Sequence, residues 1–196
     1  MHSEDQYHTI VCIGTSTGGP RALQTVLSGL PRHLQAPIVI VQHMPPKFTK
    51  SLANRLNSLC EIRVKEAEEG EILQKGTAYI APGGKHMSLL SQGREVKVRI
   101  VETEPVNGHR PSVDVLFQSV SQLKEYKKIA VIMTGMGSDG KKGIINLKKN
   151  DQTIVMAESK DSCIVYGMPR AAIETGLVDS VTKLDDIANN IMKQIG

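Results

Sequence analysis

Tryptophan is absent from the 196 residues, and the remaining aromatics are two Phe and four Tyr. Readers of single-stranded nucleic acid stack bases on aromatic side chains, so this composition gives little support to such a partner. Cysteine is scarce as well. Cys12, Cys60 and Cys163 are odd in number and show no CxxC spacing. That excludes a disulfide-stapled scaffold and points to a reducing compartment, with Cys12 read as a small buried hydrophobe. Six His and three Cys without ligand spacing give no zinc site. Long apolar runs are missing too. Stretches such as Ile38–Val41 are far shorter than the ~20 residues that span a bilayer. The polar segment Met1–His8 lacks the apolar core of a secretory signal. A cytoplasmic location is therefore expected. Charge is nearly balanced, 24 basic against 20 acidic side chains. The pairs Lys127-Lys128, Lys141-Lys142 and Lys148-Lys149 read as solvated helix ends, or as a means of drawing in an acidic partner.

What is present is an ordinary globular composition, with 40% hydrophobic residues and 17 Gly. The length suits one domain, expected over residues 9–196 after a flexible tail at 1–8. Short apolar runs alternate with segments of helical period. Thr9–Ile13 reads as a strand, and Gly14–Pro20 as a Gly-rich turn with Pro20 at a first helical position. Leu23, Val26, Leu27 and Leu30 then keep the helical spacing. Pro37–Gln42 is a second strand, and Phe48, Leu52, Leu56 and Leu59 mark a second helix.

From Ile62 to Val101 the character changes. Ala78–Ala81, His86–Leu90 and Val96–Val101 read as a hairpin and its neighbours. A polar loop covers Glu102–Ser112. Alternation resumes with a helix at Val113–Leu123, a strand at Ile129–Met133, a helix at Gly140–Lys149 and a strand at Thr153–Ala157. Pro169–Thr175 reads as helix, Leu177–Val181 as extended chain, and Leu184–Ile195 as an amphipathic helix. The expected fold is α/β: an open, doubly wound, mostly parallel sheet flanked by helices, with an antiparallel hairpin excursion around residues 72–101. An eight-unit barrel needs about 250 residues and does not fit.

In open parallel sheets ligands bind beyond the carboxyl ends of the strands. Ser16 falls just past the first strand, His43 past the second, and Asp139 in the Gly-rich turn Thr134–Gly140 after Ile129–Met133. A hydroxyl, an imidazole and a carboxylate form the set that activates a serine. The hydroxyl holds its proton at pH 7, imidazole can take it, and a carboxylate orients the imidazole. Gly14–Gly18 also fits G-x-S-x-G between a strand and a helix. Backbone N–H groups at Thr17 and in the turn around Met136 could stabilise an oxyanion. Each residue has a plainer reading. Ser16 suits a helix N-cap or a phosphate cradle, His43 a hydrogen-bonded strand end, and Asp139 the N-cap of the helix after it. His86, in the hairpin, and His109, in the loop, are competing bases. A nucleotide-binding loop is the main rival, although neither a P-loop ending nor GxGxxG is present.

Several longer segments carry a resemblance. They are Gly14–Pro20, Val41–Thr49, Met133–Gly140, Tyr79–Gly83, His86-Met87, Arg110–Asp114 and Val165–Pro169. In this order they resemble the chemotaxis receptor methylesterase (CheB) family, from Ile10 to Ile195. The resemblance implies catalytic roles for Ser16, His43 and Asp139 and oxyanion roles for Thr17 and Met136. It implies hydrolysis of glutamate γ-methyl esters on the cytoplasmic helices of chemoreceptors, and deamidation of certain receptor glutamines. It implies no metal and no cofactor. Family members usually carry an N-terminal receiver domain. This sequence resembles the effector half alone, so an open site is expected.

Overall fold

The computed structural model describes residues 6–150 and 152–196. Thr9–Thr15 (β1), Ile38–Gln42 (β2) and Lys127–Ile132 (β7) are short runs rich in Ile and Val, buried at almost every position. A strand buried on both faces needs apolar side chains on both, as parallel strands between helices do. Successive residues of β1 accordingly enter different cores. Ile10 and Cys12 join one cluster, and Val11 and Ile13 the other.

The seven-stranded sheet has the order β3-β4-β2-β1-β7-β8-β9. Its remaining members are Arg63–Glu66 (β3), Thr77–Ile80 (β4), Thr153–Glu158 (β8) and Ser180–Thr182 (β9). Every pairing is parallel. One face is covered by Gly19–Ser28 (α1), Phe48–Leu59 (α2) and Leu184–Ile195 (α6), through residues such as Leu23, Leu56 and Ile187. Val113–Ser121 (α3), Lys141–Leu147 (α4) and Met168–Ile173 (α5) cover the other. The antiparallel hairpin of His86–Gln92 (β5) and Glu95–Val101 (β6) lies on that second face, its Met87, Leu89, Val96 and Val98 in the same core. The chain winds from β1 toward β2 and later returns to β1's other side at β7. The carboxyl ends of β2, β1 and β7 therefore form a topological switch point.

The doubly wound reading holds, with two adjustments. The hairpin is confined to 86–101, whereas Thr77–Ile80 is a fully buried parallel strand beside β2. The edge strand β3 has no strand signal in the sequence, because Arg63, Lys65 and Glu66 mask the single buried Val64. Of the tail expected over 1–8, residues 1–5 lie outside the described residues. Tyr7 is buried against Tyr126, and the His8 carbonyl accepts the Lys127 N–H. Cys12, Cys60 and Cys163 are free thiols. Among the described residues no helix is long and apolar enough to cross a membrane.

The α3–α4 contact is close enough to require glycine. A Cβ on Gly143 would lie 2.5 Å from the Cβ of Phe117. Gly143→Ala would gain up to about 1 kcal/mol from helix propensity, but overpacking against so rigid an atom costs about 1–3 kcal/mol. Urea denaturation should show a net loss of ~1 kcal/mol. A gain would mean that the helices separate freely.

Candidate active site

Register brings the first two residues together. Thr15 pairs with Gln42 in the parallel β1–β2 ladder, and His43 N–H continues it by donating to Thr15 O at 3.2 Å. The next residues, Ser16 and His43, thus leave the sheet side by side, on strands about 4.8 Å apart. Buried Gln42 ties them together: its Nε2 donates to Ser16 O at 2.9 Å and to His43 O at 3.2 Å. Gly19 makes room for this amide, since a Cβ there would fall 1.8 Å from Gln42 Oε1. Ser16 is not a helix cap. The N-cap of α1 is Gly18, in the left-handed region at φ +81, and no side chain caps it.

On the other flank of β1, Thr134 O accepts the Ser16 N–H at 2.9 Å and the Thr15 hydroxyl at 2.7 Å. Thr134 Oγ1 donates to Thr17 O at 2.9 Å. Gly135 sits tightly beside Ser16, its missing Cβ only 2.8 Å from that of Ser16. Among the described residues the Thr17 and Met136 N–H groups donate to nothing inside the protein. Both remain available to a bound group.

Asp139 returns from β7 toward His43. Its Oδ2 lies 2.7 Å from His43 Nε2 and also accepts the Val113 N–H at 2.7 Å. Oδ1 accepts from Ser112 Oγ, Asn107 Nδ2 and the Asp114 N–H at 2.8, 2.9 and 3.1 Å. The plainer reading of Asp139 as a helix cap does not hold: α4 has no side-chain cap, and the carboxylate accepts the Gly140 N–H at 3.1 Å and the first amides of α3. There the helix dipole favours an anion. Burial alone would raise the Asp139 carboxyl, but the bonds from His43, Val113, Asp114 and Asn107 outweigh it and hold it down at about 2.

With Nε2 engaged by Asp139, the ring nitrogen left for a serine is Nδ1. It is buried and without a hydrogen-bond partner among the described residues. This is the reverse of the common triad, where the carboxylate takes Nδ1. The Ser16 hydroxyl does not bond to it in this resting geometry, a looseness common before substrate binds.

The two competing histidines separate clearly. His86 is buried; its Nδ1 accepts the Ser112 N–H and its Nε2 donates to Glu104 O, so both nitrogens serve the backbone. His109 stacks on His43, with ring centroids 3.6 Å apart and 8° between planes. Burial, and then the neighbouring His43, lower its affinity for a proton. Reading the sequence missed the roles of Asn107, Ser112 and the stacked His109. One signal was present: Asn107-Gly108 is the preferred pair of a tight primed turn. Both residues have positive φ, 56 and 78, and Val106 and His109 exchange backbone bonds across them. The turn delivers Asn107 to the carboxylate and His109 to the imidazole. Among the described residues no cluster of three or more His, Cys, Asp or Glu side chains could hold a metal ion.

Asp139→Asn would turn an NH₂ group toward donors at one oxygen or the other. Stability at pH 7 should fall by roughly 2 kcal/mol or more. The unfolded carboxyl titrates near 3.9, above the folded group. The native carboxylate therefore stabilises the fold above about pH 4. That contribution is lost as pH falls toward the folded value of about 2. Denaturation curves for wild type and variant should converge across that window. A constant gap from pH 7 to 2 would contradict the buried-anion account.

A sequence profile described as CheB methylesterase matches residues 11–191. A protein-glutamate methylesterase/protein-glutamine glutaminase of Halalkalibacterium halodurans is 60% identical over 186 residues, covering 95% of this chain and 54% of that protein. Its counterpart in Bacillus subtilis is 52% identical over 182 residues, covering 93% and 51%. The chain thus spans about half the length of the curated relatives it matches. The crystal structure of the Thermotoga maritima CheB methylesterase catalytic domain matches with a TM-score of 0.91 at 46% identity, over 94% of this chain and 97% of that one. Between a profile that covers most of its length and relatives this similar, the chain belongs to the CheB methylesterase family.

Proposed function

We propose that residues 9–196 act as one cytoplasmic catalytic unit. It hydrolyses glutamate γ-methyl esters on the cytoplasmic helices of chemoreceptors and deamidates receptor glutamines. The observation that supports this reading is the buried anion Asp139, 2.7 Å from the His43 imidazole, at the carboxyl ends of the paired strands that lead into Ser16 and His43. The names of the relatives supply the substrate class.

The chemistry follows from the groups available. In the reacting geometry the Ser16 hydroxyl hydrogen-bonds to His43 Nδ1. It attacks the ester carbonyl as Nδ1 takes its proton. Asp139 stabilises the imidazolium through Nε2. The Thr17 and Met136 N–H groups receive the oxyanion. As the tetrahedral species collapses, Nδ1–H gives its proton to the departing methoxide and methanol leaves. Water then attacks the acyl-enzyme with Nδ1 as base, and glutamate and free Ser16 are restored. A glutamine follows the same course with ammonia leaving, and its nitrogen needs the imidazolium proton more than methoxide does. Substrates on a helical bundle require an open approach. The depression beside His43, of about 330 Å³, is bordered by Met44, Pro45, His109 and Arg110. Exposed Met136 and Ile164 offer apolar surface nearby.

Methanol release from methyl-labelled receptor membranes tests the reading. Ser16→Ala and His43→Ala should each lower turnover by at least ~10³-fold. Near-normal turnover in both variants would reject the assignment. A wild-type enzyme that cleaves simple esters but leaves methylated receptors intact would make it a small-ester hydrolase instead.

A further inference from the structure

Glu158 closes β8 with its side chain fully buried, and the chemistry above makes no use of it. Its Oε2 accepts the Thr134 N–H at 2.8 Å. Its Oε1 is buried without a hydrogen-bond partner among the described residues. A carboxyl so placed costs stability, and burial pushes its proton affinity up, outweighing the opposing influence of the Thr134 N–H, Ser162 and Cys163. Such a group needs a reason to be there.

Thr134 supplies one, because it joins the two Gly-rich turns. Its carbonyl holds the Ser16 N–H and its hydroxyl holds Thr17 O. The same hydroxyl accepts the Val165 N–H at 3.0 Å, and Val165 O accepts the N–H of Gly135. The remaining polar group of Thr134, its own N–H, is the one Glu158 takes. The carboxyl therefore anchors the residue that sets the Met136 turn against Ser16 and Thr17.

We propose that Glu158 is a positioning residue for the oxyanion site, acting through the Thr134 N–H to fix the spacing between the Thr17 and Met136 amides. This rests on the serine mechanism proposed above. Donors of this kind work only within a few tenths of an ångström of the developing oxyanion. A misplacement near 1 Å can cost ~10²-fold in rate. Since the oxyanion exists only in the transition state, the loss falls on kcat and leaves KM. The role needs an acceptor for Thr134 and no negative charge, so a glutamine can fill it.

The test compares steady-state methanol release from methyl-labelled receptor membranes for the full chain and its Glu158→Leu, Glu158→Asp and Glu158→Gln variants, each checked by thermal melting. Glu158→Leu should lose at least ~10-fold in kcat with KM within about twofold. Glu158→Asp, whose carboxyl falls short of Thr134, should lose kcat in the same way and decides the matter if the Leu variant does not fold. Glu158→Gln should keep at least half of wild-type kcat. Wild-type kcat in a folded Leu or Asp variant, a loss confined to KM, or failure of Gln to preserve kcat overturns the proposal. Ser16→Ala runs alongside. If it stays active, the serine mechanism itself has failed; if it is dead while the Glu158 variants behave as wild type, the positioning role alone has failed.

Discussion

Parallel, in-register pairing of three adjacent strands is the constraint on which the rest depends. Because β2, β1 and β7 run the same way and end nearly level, their next residues emerge at one rim. Ser16 and His43 become neighbours though they are far apart in sequence, and the Thr134 turn closes on the other side. A slip of one residue would exchange the faces of every side chain. It would bury Ile10 and Cys12 where Val11 and Ile13 belong, so the two cores also fix the geometry of the site.

Electrostatics does the finer work. Asp139 is an almost fully buried anion, and it is tolerated because hydrogen-bond donors surround both oxygens. Two of them are amides at the start of α3, so a helix end on one face of the sheet is tied to a histidine at the end of β2. His43 is held from three directions: Asp139 at Nε2, His109 across the ring face, and Gln42 through the backbone. Nδ1 is then the one polar ring atom with no claim on it. That is the arrangement that the proposed role of His43 as a base requires.

Much of this was legible beforehand, for identifiable reasons. Buried parallel strands such as β1, β2 and β7 are continuous apolar runs, and ligands bind beyond their carboxyl ends, so the polar residues that follow them, Ser16, His43 and Asp139, stand out as candidates. β3 is hidden because an edge strand exposes charged side chains, and β4 falls within the expected excursion at 72–101 because Tyr79 and Ile80 are equally apt for parallel and antiparallel pairing. The partners of Asp139 were not legible. Ser112 and Val113 reach it by a tertiary contact, which no local period records. Asn107-Gly108 carried a turn signal, but nothing in the sequence told where that turn would dock. Glu158 carries no local signal, because its burial and its bond to Thr134 are tertiary features.

The central claim is that His43 activates Ser16 through the nitrogen Asp139 leaves open. Reaction of the chain with a fluorophosphonate, followed by mass mapping of the peptides, tests it most directly. The account predicts a single adduct on Ser16 whose formation slows by orders of magnitude in His43→Ala. An adduct on a different side chain, or one on Ser16 that forms as fast without the imidazole, would contradict it.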